Sequence, residues 1–351
     1  MRISRGGHAR VDSGRHASRR VSTRQTRVSA PPRRGSALLT VLWLSAALAA
    51  IAFSLSNTVR GETDRTSTAI DGLRCYYLAS GAVQRCAMEL FWDASANPAI
   101  RHIPPGTPEV DYVFPSGNAR VEIIPESARL DVNSATVQTL TRLGVALGIE
   151  PEEAQEIAAA IDDWRRPALE GSPFDQYYLA QTPSFRARHA SIQEIEELLL
   201  VKGVTPDLFY GTYVPSAAGE GTRLTPRGGL ADCLSVYGAR DAVDANSAPP
   251  AVLAAMGLSP YAISALVERR RMGPLTDQQI SAFLQSAGMT PGRLRAGGSS
   301  IVTIRATARL RLADGRLSDL KRTVAAQVKY MQPASETPIH FLRWYDTAWS
   351  N

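Results

Sequence analysis

Hydrophobic and polar residues alternate in three different ways along this chain. No charged residue occurs from Gly35 to Val59. The 21 residues 36–56 are long enough to cross a bilayer core of about 30 Å as a helix. Beyond them, Ile70, Leu73, Tyr77, Gly81, Met88 and Phe91 recur at spacings near three and four, which predicts that the helix continues through 57–95 as an amphipathic element. Gly61, Gly72 and Gly81 are points where it can bend or lose order.

A two-residue period replaces this pattern in two places. Asp111–Phe114, the turn "PSGN" and Arg120–Ile124 read as a hairpin. In 301–312, Val302, Ile304, Ala306, Ala308, Leu310 and Leu312 point to one side, and Thr303, Arg305, Thr307, Arg309 and Arg311 to the other. "ADGR" turns the chain into a return strand, 317–330. Between the hairpins the signals are helical. Proline stands at a first helical turn in Glu150-Pro151, Thr205-Pro206 and Ser259-Pro260. Ser191 with Glu194 forms a capping box before "IEELLLVKG". The class read from this is α+β: a long N-terminal helix on a small antiparallel sheet, with a large helical insertion. The divisions expected are a leader 1–35, an anchor 36–56, its continuation 57–95, sheet 96–130, insertion 131–292, sheet 293–332 and a tail 333–351.

Charge changes the picture only at the front. The pI of about 9.4 suggests nucleic acid, but residues 1–35 hold ten arginines and one acid, Asp12. Against the chain's formal +6, a leader of +9 leaves −3 for the remainder, so overall charge is no argument for DNA binding. The leader has no apolar period and reads as disordered. Arg33 and Arg34 before the apolar run put the N-terminus in the cytoplasm and the bulk of the chain outside it. Cys75 and Cys86, if on one helix, are roughly 16 Å apart, too far for a disulfide; Cys233 has no assigned partner.

The junction "RRGSALLTVLWL" resembles the prepilin signal of type IV pilins and type II secretion pseudopilins. That resemblance implies cleavage by a prepilin peptidase after Gly35, a methylated N-terminus at Ser36, and an apolar stretch that serves as both signal and retained anchor. It also implies Glu at the fifth mature position, where this chain has Thr40. "YYLASGAVQRCAMEL" resembles the pilin-type stretch where the long helix meets its globular domain, and lack of that Glu, with the inserted helices, resembles the K-type minor pseudopilin of type II secretion (the general secretion pathway protein K family). The family resemblance implies a pilin-like fold and a non-catalytic tip subunit in the inner membrane with its bulk in the periplasm. It further implies I- and J-type partners, with the secretin channel or secreted cargo as further contacts.

One motif occurs twice. In "LDVNSATVQTL" and "VDANSAPPAVL", Asp131, Asn133 and Ser134 match Asp244, Asn246 and Ser247. The Asn and Ser are read as helix caps and the Asp as holding the preceding turn. Both copies resemble helix-hairpin-helix or SAM-like modules, which makes a membrane-anchored DNA-binding protein the alternative. Against it, the second glycine of a phosphate-binding turn is replaced by Glu150 and Ser259, and the helix after Glu150 is acidic. Nucleic acid is therefore not an expected ligand.

No nucleophile elbow, Walker A, HExxH or dinucleotide motif occurs, and His102, His189 and His340 lack metal spacing. No enzyme activity and no required cofactor are expected. The family resemblance permits calcium, for which Asp232, Asp241 and Asp244 supply hard oxygens without an EF-hand spacing.

Overall fold

The computed structural model describes residues 36–95, 102–104, 106–168, 171–215, 224–288, 292–297, 300–331 and 337–348. The leader, including Arg33, Arg34 and Gly35, lies outside them. Helix α1 (Ser36–Ser95) is followed by strands β1 (Glu109–Phe114), β2 (Gly117–Pro125) and the short β3 (Leu130–Asp131). Helices α2 (Val137–Ala146), α3 (Pro151–Arg165) and α4 (Asp175–Leu179) lead to a 3-10 turn at Ile195–Leu200. Then come α5 (Pro206–Tyr210), the hairpin β4 (Thr212–Pro215) and β5 (Leu224–Arg227), and α6 (Leu230–Cys233). Strands β6 (Leu234–Ser235) and β7 (Val243–Asp244) precede α7 (Pro250–Ala255), α8 (Pro260–Arg271) and α9 (Asp277–Ser286). The last elements are β8 (Leu294–Arg295), β9 (Ile301–Arg311), β10 (Leu317–Tyr330) and β11 (Ile339–Tyr345).

The main sheet has five antiparallel strands in the order β1-β2-β9-β10-β11. Strands β2 and β9 are neighbours although the whole insertion separates them in sequence, with Val121 opposite Ala306 and Ile123 opposite Ile304. The alternation of β9 sets its burial: Val302, Ile304, Ala306, Ala308 and Leu310 are buried. Leu312, read as their companion, lies past the strand and is exposed. Two expected divisions need correction. Residues 339–345, read as part of a tail, form the edge strand β11. Their Ile, Phe, Trp and Tyr after Pro338 are strand-favouring residues. Leu294 and Arg295, placed with the sheet, pair instead with β7 of the insertion, and the sheet resumes at Ile301.

The chain divides at Asp64/Arg65 into two units. In the first, α1 is apolar and bare: Trp43 and Phe53 are 74% and 70% exposed. By length and composition this helix can cross a membrane. The second unit holds two hydrophobic clusters. One joins α1 to the inner face of the sheet. The other fills the insertion, around Leu143, Ile161, Trp164, Tyr178, Leu198, Leu253 and Leu266. The insertion also meets the outer face, where Arg343 of β11 pairs with Glu194; on the same sheet Glu126, just after β2, accepts a hydrogen bond from Thr303.

Candidate interaction surface

Where α1 meets the sheet, its buried residues are mostly small. Cys75, Ala79, Ala82, Val83, Cys86 and Ala87 are at most 1% exposed, and they face Ala119, Ala306, Ala308 and Ala326 across the interface. Small side chains on both sides let helix and sheet approach closely. Gly117 at the start of β2 shows how closely: a Cβ there would lie 2.2 Å from the Arg309 carbonyl oxygen and 2.9 Å from Leu78 Cδ2. Polar contacts fix the helix on both flanks. Glu89 accepts from Tyr112 Oη of β1 at 2.5 Å and from Arg85 Nε at 2.8 Å. On the other side Tyr330 Oη donates to the Ala87 carbonyl at 3.2 Å and Tyr76 Oη to Asp346 at 2.7 Å. Burial pushes the Cys86 thiol up to about 12.

The apolar stripe read from periodicity is not this buried face. Ile70, Leu73, Tyr77 and Met88 of that stripe are 47%, 55%, 65% and 44% exposed, and the adjoining Trp92 is 52% exposed. At 100° per residue they centre about half a turn away from Ala79, Ala82 and Cys86. The helix thus has two apolar faces: small residues on the sheet, and large ones left bare. The helical assignment runs through Gly61, Gly72 and Gly81 without a break.

Among the anticipated site residues, Ser36 is the first residue of α1. Thr40 donates its hydroxyl to the Ala37 carbonyl at 2.8 Å, so its polar group is satisfied within its own helix. The repeat residues are brought into two equivalent arrangements, in which the Asp residues hold the turn as read, while the Asn and Ser residues do not cap the helices. Asp131 Oδ1 accepts from the Asn133 N–H at 2.8 Å, and Asp244 Oδ1 from the Asn246 N–H at 3.0 Å. The Asn side chains do not cap helices. Asn133 takes both the N–H and the C=O of Ile192, at 2.8 and 2.9 Å, and Asn246 those of Leu275, at 2.8 and 3.0 Å. Ser134 and Ser247 enter through backbone N–H bonds to the Asp carbonyls. The caps lie further on, at Thr136 for α2 and, without a side-chain bond, at Pro249 for α7. Likewise Ser191 is no part of a capping box: the Glu197 carboxylate takes the N–H groups of Gln193 and Glu194.

Two arginines complete the repeat and were missed. Arg165 donates to the carbonyls of Val132 and Ala135, and Arg270 to those of Ala245 and Ala248. The sequence carried the signal, because "AIDDWRR" aligns with "ALVERRR" at Ala160/Ala265, Arg165/Arg270 and Arg166/Arg271. Asp232 and Asp244 accept backbone N–H groups from Gly229 and Gly297, and among the described residues no three His, Cys, Asp or Glu side chains come together as a metal site.

Residues 120–211, the end of the sheet's first hairpin and the first half of the insertion, match the family model for type II secretion system (T2SS) protein K. A type II secretion system protein K from Klebsiella pneumoniae is 29% identical over 195 residues, covering 50% of this chain and 60% of that protein. Over the matched residues the chain is similar to the K proteins of type II secretion. A solved structure, the GspK-GspI-GspJ complex from the enterotoxigenic Escherichia coli Type 2 Secretion System, matches with a TM-score of 0.52 at 14% identity. That match covers 82% of this chain and 100% of the other, and it shows the shared pilin-like α+β fold with inserted helices. The chain thus aligns with about three-fifths of the Klebsiella protein K. The DNA-binding alternative finds no support in these comparisons.

Proposed function

We propose that this chain is a minor pseudopilin of a type II secretion system, a structural and non-catalytic subunit at the pseudopilus tip that supports protein export across the outer membrane. The observation that carries this reading is the second apolar face of α1. A helix whose sheet-facing side is already buried, and which still shows Ile70, Leu73, Tyr77, Met88 and Trp92 to solvent, is built to meet further helices. The partners proposed are the I- and J-type minor pseudopilins, with the secretin or cargo meeting the insertion.

In this reading a prepilin peptidase cuts between Gly35 and Ser36, and the apolar run stays as a single-pass inner-membrane anchor with the remainder in the periplasm. Thr40 fits a tip subunit. A carboxylate in the membrane needs a partner, whereas the Thr40 hydroxyl is satisfied by Ala37 and asks for no subunit ahead of it. The test is the intact mass and N-terminal sequence of the full chain made with and without the peptidase. A chain that starts at Ser36 only when the peptidase is present supports the reading, and an uncut chain in both cases removes it.

A further inference from the structure

Away from the helix surface, one titratable cluster has a geometry that a single protonation state satisfies. His189, at a left-handed φ of 47°, closes the connection between α3 and the 3-10 turn. Its Nε2 stands 2.9 Å from Asp175 Oδ1 at the start of α4. Its Nδ1 stands 3.2 Å from the Asp163 carbonyl oxygen of α3 and 3.9 Å from Asp163 Oδ2. Both ring nitrogens therefore face oxygens that only accept. A neutral imidazole offers one N–H and one lone pair, so either tautomer turns a lone pair toward an oxygen. An imidazolium donates at both ends. The His189 and Asp163 side chains are only 17% and 18% exposed, and Asp163 Oδ2 has no hydrogen bond of its own among the described residues. A positive ring beside it offsets that buried charge.

We propose that His189 is a pH-sensitive clamp: as an imidazolium it ties the segment around α4 to the end of α3, and on losing its proton it releases that segment. The charges around the ring agree with this. Asp163 faces it from α3 and Asp175 from α4, and Arg186 on the same connection acts on Asp175. Asp162 is occupied by Arg165 and Arg166, and Arg188 by Glu197. Burial of the ring opposes protonation, but the bond to Asp175 and the Asp163 oxygens outweigh it and raise the His189 pKa. The raised value fixes the sign: the clamp holds below the ordinary histidine range and is lost as pH rises through the folded-state pKa.

Tyr178 and Phe185 pack on Trp164, so the middle of the segment stays anchored when the clamp opens. The ends, 171–177 and 186–189, are what it controls, with the exposed Tyr177 beside them. A clamp of this kind makes one surface of the insertion responsive to the pH of its compartment.

Hydrogen–deuterium exchange on the full-length protein in detergent, expressed as protection factors at pH 6 and pH 8.5, tests this. Protection of 171–177 and 186–189 is expected to fall by roughly tenfold, the worth of one charge-assisted hydrogen bond, while α2 keeps its protection. His189→Gln is expected to show the low value at both pH values. Equal protection of the two ends at both pH values in the wild-type protein overturns the proposal, as does a loss shared equally by α2. The wild-type comparison decides even if the variant does not fold.

Discussion

Arg165, on the last turn of α3, donates through its guanidinium to the carbonyl oxygen of Val132 in the turn before α2. A second branch reaches the Ala135 carbonyl, and Asp162 holds the same group from behind. The side chain is 5% exposed, so removing it takes the donor from two buried carbonyls and leaves Asp162 with Arg166 alone. Arg165→Ala is expected to cost about 3 kcal/mol in urea unfolding. Arg270→Ala, at the equivalent but half-exposed position, is expected to cost about 1–2 kcal/mol because water replaces part of what is lost. Equal and small losses at both sites, under about 0.5 kcal/mol, would show that the arginines only decorate the surface.

Asn246 closes the second repeat by matching both backbone groups of Leu275. Asn246→Asp keeps the acceptor and loses the donor, so it should destabilise by about 1–2 kcal/mol. Asn246→Ala should do so by about 2 kcal/mol, since both Leu275 groups are then left to solvent. Asn133 predicts the same order against Ile192. Thermal unfolding of the four variants checks it, and a more stable Ala than Asp variant at either site contradicts the bridging role.

The fold class, the two main hairpins and the anchor could be read from the sequence because each rests on a local period. What escaped rests on long-range partners. Periodicity picked out Ile70, Leu73, Tyr77 and Met88 because they are large, yet the face against the sheet is made of Ala79, Ala82, Cys86 and Ala87, whose small size is what close packing selects. Hydrophobicity alone ranks such a face below its opposite. The Asp-x-Asn-Ser motif was visible, but its role was not, since Asn133 acts on Ile192 and Asn246 on Leu275, both well downstream in the chain. Strand β11, expected as part of a tail, carries its strand signal in its aromatic residues and not in a two-residue period.

Cys233 and Cys86 are buried, and burial pushes both thiols up to about 12. At pH 8 the folded protein should show neither as a thiolate, and a thiol-reactive dye should leave both unmodified until denaturant is added. Rapid labelling of either in the native state, read by mass spectrometry, contradicts this packing.

Glu197 supplies an acid-side dependence. Burial opposes its ionisation, but the N–H groups of Gln193 and Glu194 and the Arg188 guanidinium outweigh it and hold its carboxyl below the ordinary glutamate range. A depressed carboxyl stabilises the fold above its unfolded pKa, and that contribution is lost as pH falls through the folded value. Glu197→Gln should therefore start about 1 kcal/mol less stable at neutral pH and lose less than the wild type on acidification. Parallel stability curves for the two proteins would show that the carboxylate bonds contribute nothing.

In the proposed function, the bare face of α1 is where this subunit meets its partners. Full-length protein should be co-expressed with the I- and J-type minor pseudopilins of the same system, extracted in detergent and purified through a tag on this chain. All three are expected to come through together. A Tyr77→Glu, Met88→Glu double variant should leave the melting temperature within roughly 2 °C, since both side chains are exposed, yet lose both partners. Failure of the wild-type chain to retain either partner, or unimpaired retention by the double variant, contradicts the claim.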